Sequence, residues 1–211
     1  MHDNRMTTET LNIDKGQCLT DVLPAIPTNT IFDKTITGCG ATHSEIVNAA
    51  RHSIIIEPNI PVILGKKADH PFLFAVYEGI TKEDVKAYLA GEHDGYRKII
   101  TTPEGFDKKV LPAMHELEIP VYKDYFLLFD ECEKAIQDVG YRGDIYLPVE
   151  DFFKFENKAM VSATPIIPSD PRFEENGFRI LKLVPTYDSR IELTLCTTNN
   201  TVAVMRKLLK R

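Results

Sequence analysis

Apolar residues along this chain cluster in short, nearly continuous runs separated by polar stretches. The runs fall at residues 29–33, 53–57, 72–76, 98–102, 125–129, 159–163 and 178–184. Runs of this length without strict alternation predict strands buried on both faces. Helical patterns lie between them. Residues 42–50 suit a helix, and so do residues 81–90, where Thr81 and Asp84 have the spacing of a capping pair. Residues 103–117 suit a helix interrupted near Pro112, residues 131–139 one ended by Gly140 and Gly143, and residues 149–155 a short helical turn. Pro58 and Pro61 are expected to prevent a helix directly after the second strand. Residues 191–196 read as a further strand and residues 199–211 as a terminal helix. Residues 1–20 are polar and expected to be loosely held; residues 21–185 form the main domain, and residues 186–211 a strand-helix tail. Strands alternating with helices predict an α/β fold with a mainly parallel sheet covered on both sides.

Composition changes this picture little. A chain of 211 residues, 43% hydrophobic and 27% charged, holds one comfortable globular domain. The net charge of −6 excludes a generally basic nucleic-acid coat, so nucleic-acid binding would need a local patch. Cys18, Cys39, Cys132 and Cys196 are widely scattered, without a C-x-x-C pair, which fits neither a disulfide framework nor a zinc site. No apolar run reaches membrane-spanning length, and the first residues lack the apolar core of a signal peptide. The expectation is a cytoplasmic protein with reduced thiols and no membrane partner.

Candidate chemistry concentrates at three strand ends. After the first run comes Thr35-Ile-Thr-Gly-Cys-Gly-Ala-Thr42, where Gly38 and Gly40 allow a tight turn with exposed amides ahead of a helix. The run at 125–129 ends in two carboxylates, Asp130 and Glu131. These suit a magnesium-holding and a water-orienting pair; they equally suit a helix cap followed by a first-turn Glu. The run at 159–163 leads into Ser162-Ala163-Thr164-Pro165, whose hydroxyls would at minimum satisfy backbone groups at a strand end.

In this order and spacing, these segments resemble motifs I, II (DEAD/DEAH type) and III of the superfamily-two helicases. Arg51 to Asn59 resembles motif Ia and Lys98 to Pro103 motif Ib, so the resemblance spans about residues 23–168. Motif I usually ends Thr-Gly-x-Gly-Lys-Thr, and here Ala41 stands in the place of the lysine. A lost charge pair at about 4 Å and an effective dielectric of about 20 is worth roughly 4 kcal/mol, on the order of a thousandfold. The resemblance implies a RecA-like three-layer α/β/α lobe of the P-loop NTPase type with ATP and Mg2+ as ligands. Thr37, Gly38, Cys39, Gly40, Ala41 and Thr42 would hold phosphate, Thr42 and Asp130 the metal, and Glu131 the attacking water. Ser162 and Thr164 would couple the nucleotide site to nucleic acid, touched through Pro58, Asn59, Thr102 and Pro103. Only 26 residues follow Pro185, too few for a second lobe. The implied function is a nucleotide-binding, nucleic-acid-associated domain with impaired or absent hydrolysis, working with a second RecA-like lobe or protein partner. The alternative is a non-catalytic module that keeps the helicase fold for binding or assembly.

Several residues take a bland reading beside a sharper one. Lys34, seven positions before Ala41, either reaches a phosphate or, as expected of most lysines, lies solvated at the surface. His43 is expected simply to occupy the first helical turn. Lys66, Lys67, His70, Lys82, Lys108 and Lys109 read as a solvated face. Gln17 lies near where DEAD-box proteins carry an adenine-reading glutamine, but its neighbours do not fit and it reads as an ordinary polar residue. Cys39 and Cys132 lie near proposed helix starts, without an assignable histidine partner. The basic end at 206–211 suits a helix C-terminus.

Overall fold

The computed structural model describes residues 6–36, 38–132, 149–164, 168, 170–188, 200, 202 and 205. The strand expected at 191–196, and nearly all of the helices expected at 199–211 and 131–139, lie outside them. Eight strands, β1 (Thr8–Ile13), β2 (Thr30–Asp33), β3 (His52–Ile56), β4 (Phe74–Val76), β5 (Lys98–Thr101), β6 (Tyr125–Asp130), β7 (Asn157–Ser162) and β8 (Arg179–Pro185), form one sheet in the order β1-β8-β2-β7-β6-β3-β5-β4. Every pairing is parallel.

Side chains alternate across this sheet and feed two apolar clusters. Ile54, Ile56, Leu127, Phe129, Ile99 and Met160 enter one cluster; Ile55, Phe126, Leu128, Ile100 and Val161 enter the other. That period of two explains why the central strands read as unbroken apolar runs: both faces are covered. Helices α1 (Leu19–Val22), α2 (Ala41–Ile46) and α3 (Ile60–Asp69) supply Leu19, Ile46 and Ile63 to the second cluster. Helix α4 (Lys82–Ala90) and the helical stretch Pro103–Gly105, Phe106–Val110 and Leu111–Glu116 supply Val85, Leu89, Phe106, Val110 and Met114 to the first. The short helices Val149–Lys154 and Arg172–Glu175 add Phe152 and Phe173 on that side. The result is the expected three-layer α/β/α arrangement with the sheet in the middle. None of the helices among the described residues is long and apolar enough to cross a membrane.

Three local expectations change. Residues 8–13, expected to be loosely held, form edge strand β1, paired along its length with β8. Its sequence, TETLNI, reads as polar because most of its side chains are exposed at the sheet edge. Pro61 does not prevent a helix. It sits in the first turn of α3, where a missing N–H leaves no bond unmade. The interruption near Pro112 is a π-helical segment, Phe106–Val110, directly preceding it. That wider turn accommodates the proline without ending the helix. The capping pair at α4 forms as expected, with Thr81 N–H donating to Asp84 at 2.8 Å and Asp84 N–H to Thr81 Oγ1 at 3.2 Å.

Candidate functional site

The carboxyl edge of a parallel sheet is where ligands bind in open α/β folds, and the polar residues of this chain gather there. Strand β2 ends at Asp33, and Lys34 follows with its N–H bonded to Ser162 O at 2.9 Å, across the end of β7. The loop to α2 turns through Gly38 (φ +76°) and Gly40 (φ +88°), left-handed conformations that side chains with a Cβ rarely adopt. Leu19 N–H ties the loop to α1 by a 2.9 Å bond to Cys39 O. The Cys39 side chain is buried, and burial pushes its thiol up. Thr37 lies outside the described residues. Helix α2 is shorter than expected, covering 41–46 rather than 42–50. Six residues carry a weak dipole, so the site depends on its side chains.

Those side chains converge. The Thr42 hydroxyl donates to Asp130 Oδ2. Lys34 Nζ lies 3.2 Å from Asp130 Oδ1 and 3.0 Å from Glu131 Oε1. Lys34 is only 8% exposed and Asp130 only 2%, so the expectation of a solvated Lys34 is wrong. Lys34 follows β2, and its ammonium reaches past the intervening β7 to two carboxylates at the end of β6 that compensate its burial. Burial works against its charge, but Asp130 and Glu131 outweigh this and hold the ammonium above its usual value. Glu131 adopts a left-handed backbone (φ +51°) directly after β6.

Glu57 is a functional candidate that sequence reasoning missed. Ile56 pairs with Phe129 in the β3–β6 register, which sets Glu57 beside Asp130 at the same edge. Its Oε1 accepts from Asn59 N–H and from Asn59 Nδ2, each at 2.8 Å. Burial pushes its carboxyl up to about 7; the Asn59 N–H opposes this, and the charge of Asp130 adds to it. The folded protein therefore keeps a proton that the unfolded chain releases near the ordinary value of 4.5. That contribution to stability is complete below 4.5 and is lost as pH rises through about 7. Glu57→Gln keeps the acceptor oxygen and removes the titration. Its urea-unfolding free energy is expected to match the wild type near pH 5 and to exceed it by about 2 kcal/mol at pH 8.

Lys34, Gly38 to His43, Glu57, Asn59, Val62, Lys66, Asp130 and Glu131 line one cavity of about 300 Å3. His43 Nδ1 lies 3.2 Å from His70 Nε2, and burial, then His70 and Lys66, lower its proton affinity. His43 thus combines a place in the first turn of α2 with a place on the cavity wall.

The remaining expected residues do local work. Ser162 Oγ accepts from Thr164 N–H at 2.9 Å, the strand-end role, while Ser162 O anchors Lys34. Thr102 Oγ1 accepts from Gly105 N–H at 3.0 Å and caps the helix that Pro103 opens. Both Thr102 and Pro103 are buried. Pro58 and Asn59 are half-buried, and Asn59 faces the cavity. Gln17 accepts from Asp14 N–H at 2.8 Å in an exposed turn, as its ordinary reading implied. Of the six residues read as a basic face, Lys66 lines the cavity, Lys67 bonds Pro71 O, Lys82 pairs with Glu116, and Lys109 bonds Tyr77 O.

Thr42 and Asp130 are the side chains that could hold a magnesium ion beside phosphate. No group of three or more His, Cys, Asp or Glu that would hold a metal by itself occurs among the described residues. Magnesium, however, keeps several waters and takes one or two protein ligands plus substrate phosphates. Thr42 donates its proton to Asp130, which leaves the hydroxyl lone pairs available to a cation.

No family model and no curated protein matches this chain. Among solved structures it is similar to the crystal structure of the Pyrococcus furiosus Hef helicase domain, with 13% identity and a TM-score of 0.44. The similarity covers 86% of this chain and 35% of that one, so this chain spans about a third of that structure's length. At that identity and TM-score the likeness carries no functional argument, and the fold assignment rests on the sheet itself. Fold and site together define a parallel α/β domain with a glycine loop, a hydroxyl–carboxylate pair and a buried lysine at its carboxyl edge.

Proposed function

We propose that this domain binds a nucleoside triphosphate, as its magnesium complex, beneath the Gly38–Gly40 loop, and that it acts in association with nucleic acid. The observation that carries the reading is the Thr42–Asp130 pair on the wall of the cavity roofed by that loop. Loop amides around Gly38 and Gly40 would face phosphate oxygens, and Thr42 and Asp130 would hold magnesium. When bound, that metal supplies positive charge to the phosphate oxygens. Asn59, on the cavity wall, and the neighbouring Pro58 are the residues through which a nucleic-acid backbone would sense the site. Hydrolysis is slow or absent in the isolated chain, because Glu131 is engaged by Lys34 rather than placed to orient water, and because Ala41 supplies no charge.

A second reading, a non-catalytic binding or assembly module, is favoured by the same bridge. An ammonium already satisfies both carboxylates that would otherwise face metal and water. Thermal melting in millimolar Mg·ATP separates the two. Wild type is expected to gain several degrees, since ligand binding to the folded state adds RT ln(1 + [L]/Kd). Gly40→Val is expected to gain none, because a β-branched residue is strained at φ +88°. Equal shifts in both proteins would place the nucleotide elsewhere, and no shift in either would leave the module.

A further inference from the structure

We infer that Lys34 is the phosphate-contacting cation of this site, taking over from the opposite side of the loop the role for which Ala41 has no charge. The inference rests on the nucleotide reading above and assigns a residue to it. The geometry points to it in three ways. Lys34 lines the same cavity as Gly38, Gly40 and Thr42. Its backbone is pinned to β7 through Ser162 O, so only the flexible stem has freedom to move. Its ammonium is buried, with two of three N–H donors given to Asp130 and Glu131.

A lysine placed only for stability would be costly here, since buried ion pairs stabilise little over apolar packing. A lysine that holds the two carboxylates before nucleotide arrives has a use. Its single positive charge offsets part of the negative charge of Asp130 and Glu131, which would otherwise repel an incoming polyphosphate. With Mg·ATP bound, Thr42 and Asp130 would hold the metal, and the Lys34 ammonium would turn to the phosphate oxygens. The exchange needs rotation only of the Lys34 side chain.

The opposing possibility is that Lys34 is a plug occupying the position of the metal, and the two make predictions of opposite sign. Calorimetric titration with Mg·ATP, and with MgCl2 alone, is to be carried out on wild type, Lys34→Met, Lys34→Met/Ala41→Lys and Ala41→Lys. The expected results are a fall in Mg·ATP affinity of on the order of tenfold to a hundredfold in Lys34→Met, the range of a charged hydrogen bond, and recovery in the double variant. Magnesium alone is expected to bind Lys34→Met more tightly than wild type, because its carboxylates have lost their cation. Mg·ATP affinity in Lys34→Met that equals or exceeds wild type would overturn the assignment and make Lys34 a plug. Should Lys34→Met fail to fold by circular dichroism, Ala41→Lys decides. A gain below about threefold means that the charge is already supplied, and a gain approaching the thousandfold of a missing charge pair means that Lys34 does not reach phosphate. No binding to wild type at all would overturn the nucleotide reading and this assignment with it, whereas wild-type binding that ignores Lys34 overturns only the assignment.

Discussion

Glu45→Ala is expected to cost the fold about 3–5 kcal/mol, the range for removing one partner of a buried ion pair. Glu45 has no exposed surface and sits on α2, three residues beyond Thr42. Its Oε1 accepts from Arg51 Nε at 3.0 Å and from the Ser53 hydroxyl, and its Oε2 accepts from Arg51 Nη2 at 2.5 Å. Lys98 Nζ, 3% exposed, lies 3.6 Å from the same carboxylate and donates to Ser53 Oγ at 2.8 Å. Arg51 also stacks its guanidinium 3.4 Å from the Phe126 ring centroid and bonds Ile26 O at 2.9 Å. Without Glu45, two cations stay in a water-poor space with only hydroxyl, carbonyl and ring partners. Against a total stability of about 5–15 kcal/mol, such a loss is large. The effect also carries a pH signature. Burial lowers Lys98 to about 8, with Glu45 opposing that shift and Arg51 adding to it. A depressed lysine destabilises the fold below its folded value, and the penalty is relieved as pH rises from about 8 to the ordinary 10.5. Removing Glu45 deepens the depression, so denaturant unfolding at pH 7 and pH 10 is expected to show the variant recovering part of its loss at the higher pH. A loss below 1 kcal/mol at pH 7 would mean that the cluster is hydrated rather than buried.

Asp130→Asn is expected to weaken Mg·ATP binding on the order of a hundredfold to a thousandfold, the scale of one charge pair at close range. The amide can still accept from Thr42, so the local geometry is kept while the charge is removed. The magnesium-dependent part of the affinity is therefore the part that disappears. Titration with ATP in excess chelator separates the two components. Metal-free ATP is expected to bind Asp130→Asn no worse than wild type, because an anion near the phosphates has gone. Unaltered Mg·ATP affinity in Asp130→Asn would show that the Thr42–Asp130 pair is a helix-cap device without a ligand.

The layout of the sheet was legible along the chain wherever local signals decide. Residues 125–129 are apolar because β6 is covered on both faces, and Thr81 with Asp84 marks the start of α4 through a contact three residues long. Edge strand β1 carries little local signal because TETLNI meets the core only through Ile13 and the partly buried Leu11, and its pairing with β8 spans about 170 residues of sequence. The Thr42–Asp130 pair was expected from motif order, but the place of Lys34 was not. That place depends on β7 lying between β2 and β6, a sheet order that no local pattern carries. Glu57 illustrates the same limit. It follows three isoleucines and reads as a strand terminator, and only the β3–β6 register sets it beside Asp130. At Thr102 and Pro103 the motif resemblance implies nucleic-acid contact; the cap that Thr102 makes on the helix opened by Pro103 is a local feature of the same residues.

Calorimetric titration of the wild-type chain with ATP, in the presence and absence of magnesium, tests the central claim most directly. The account predicts saturable binding that magnesium strengthens, with little or no phosphate released over the hours of the experiment. An absence of saturable heat at millimolar nucleotide, with an unmoved melting temperature, would contradict it and leave the cavity beneath Gly38 and Gly40 without a nucleotide.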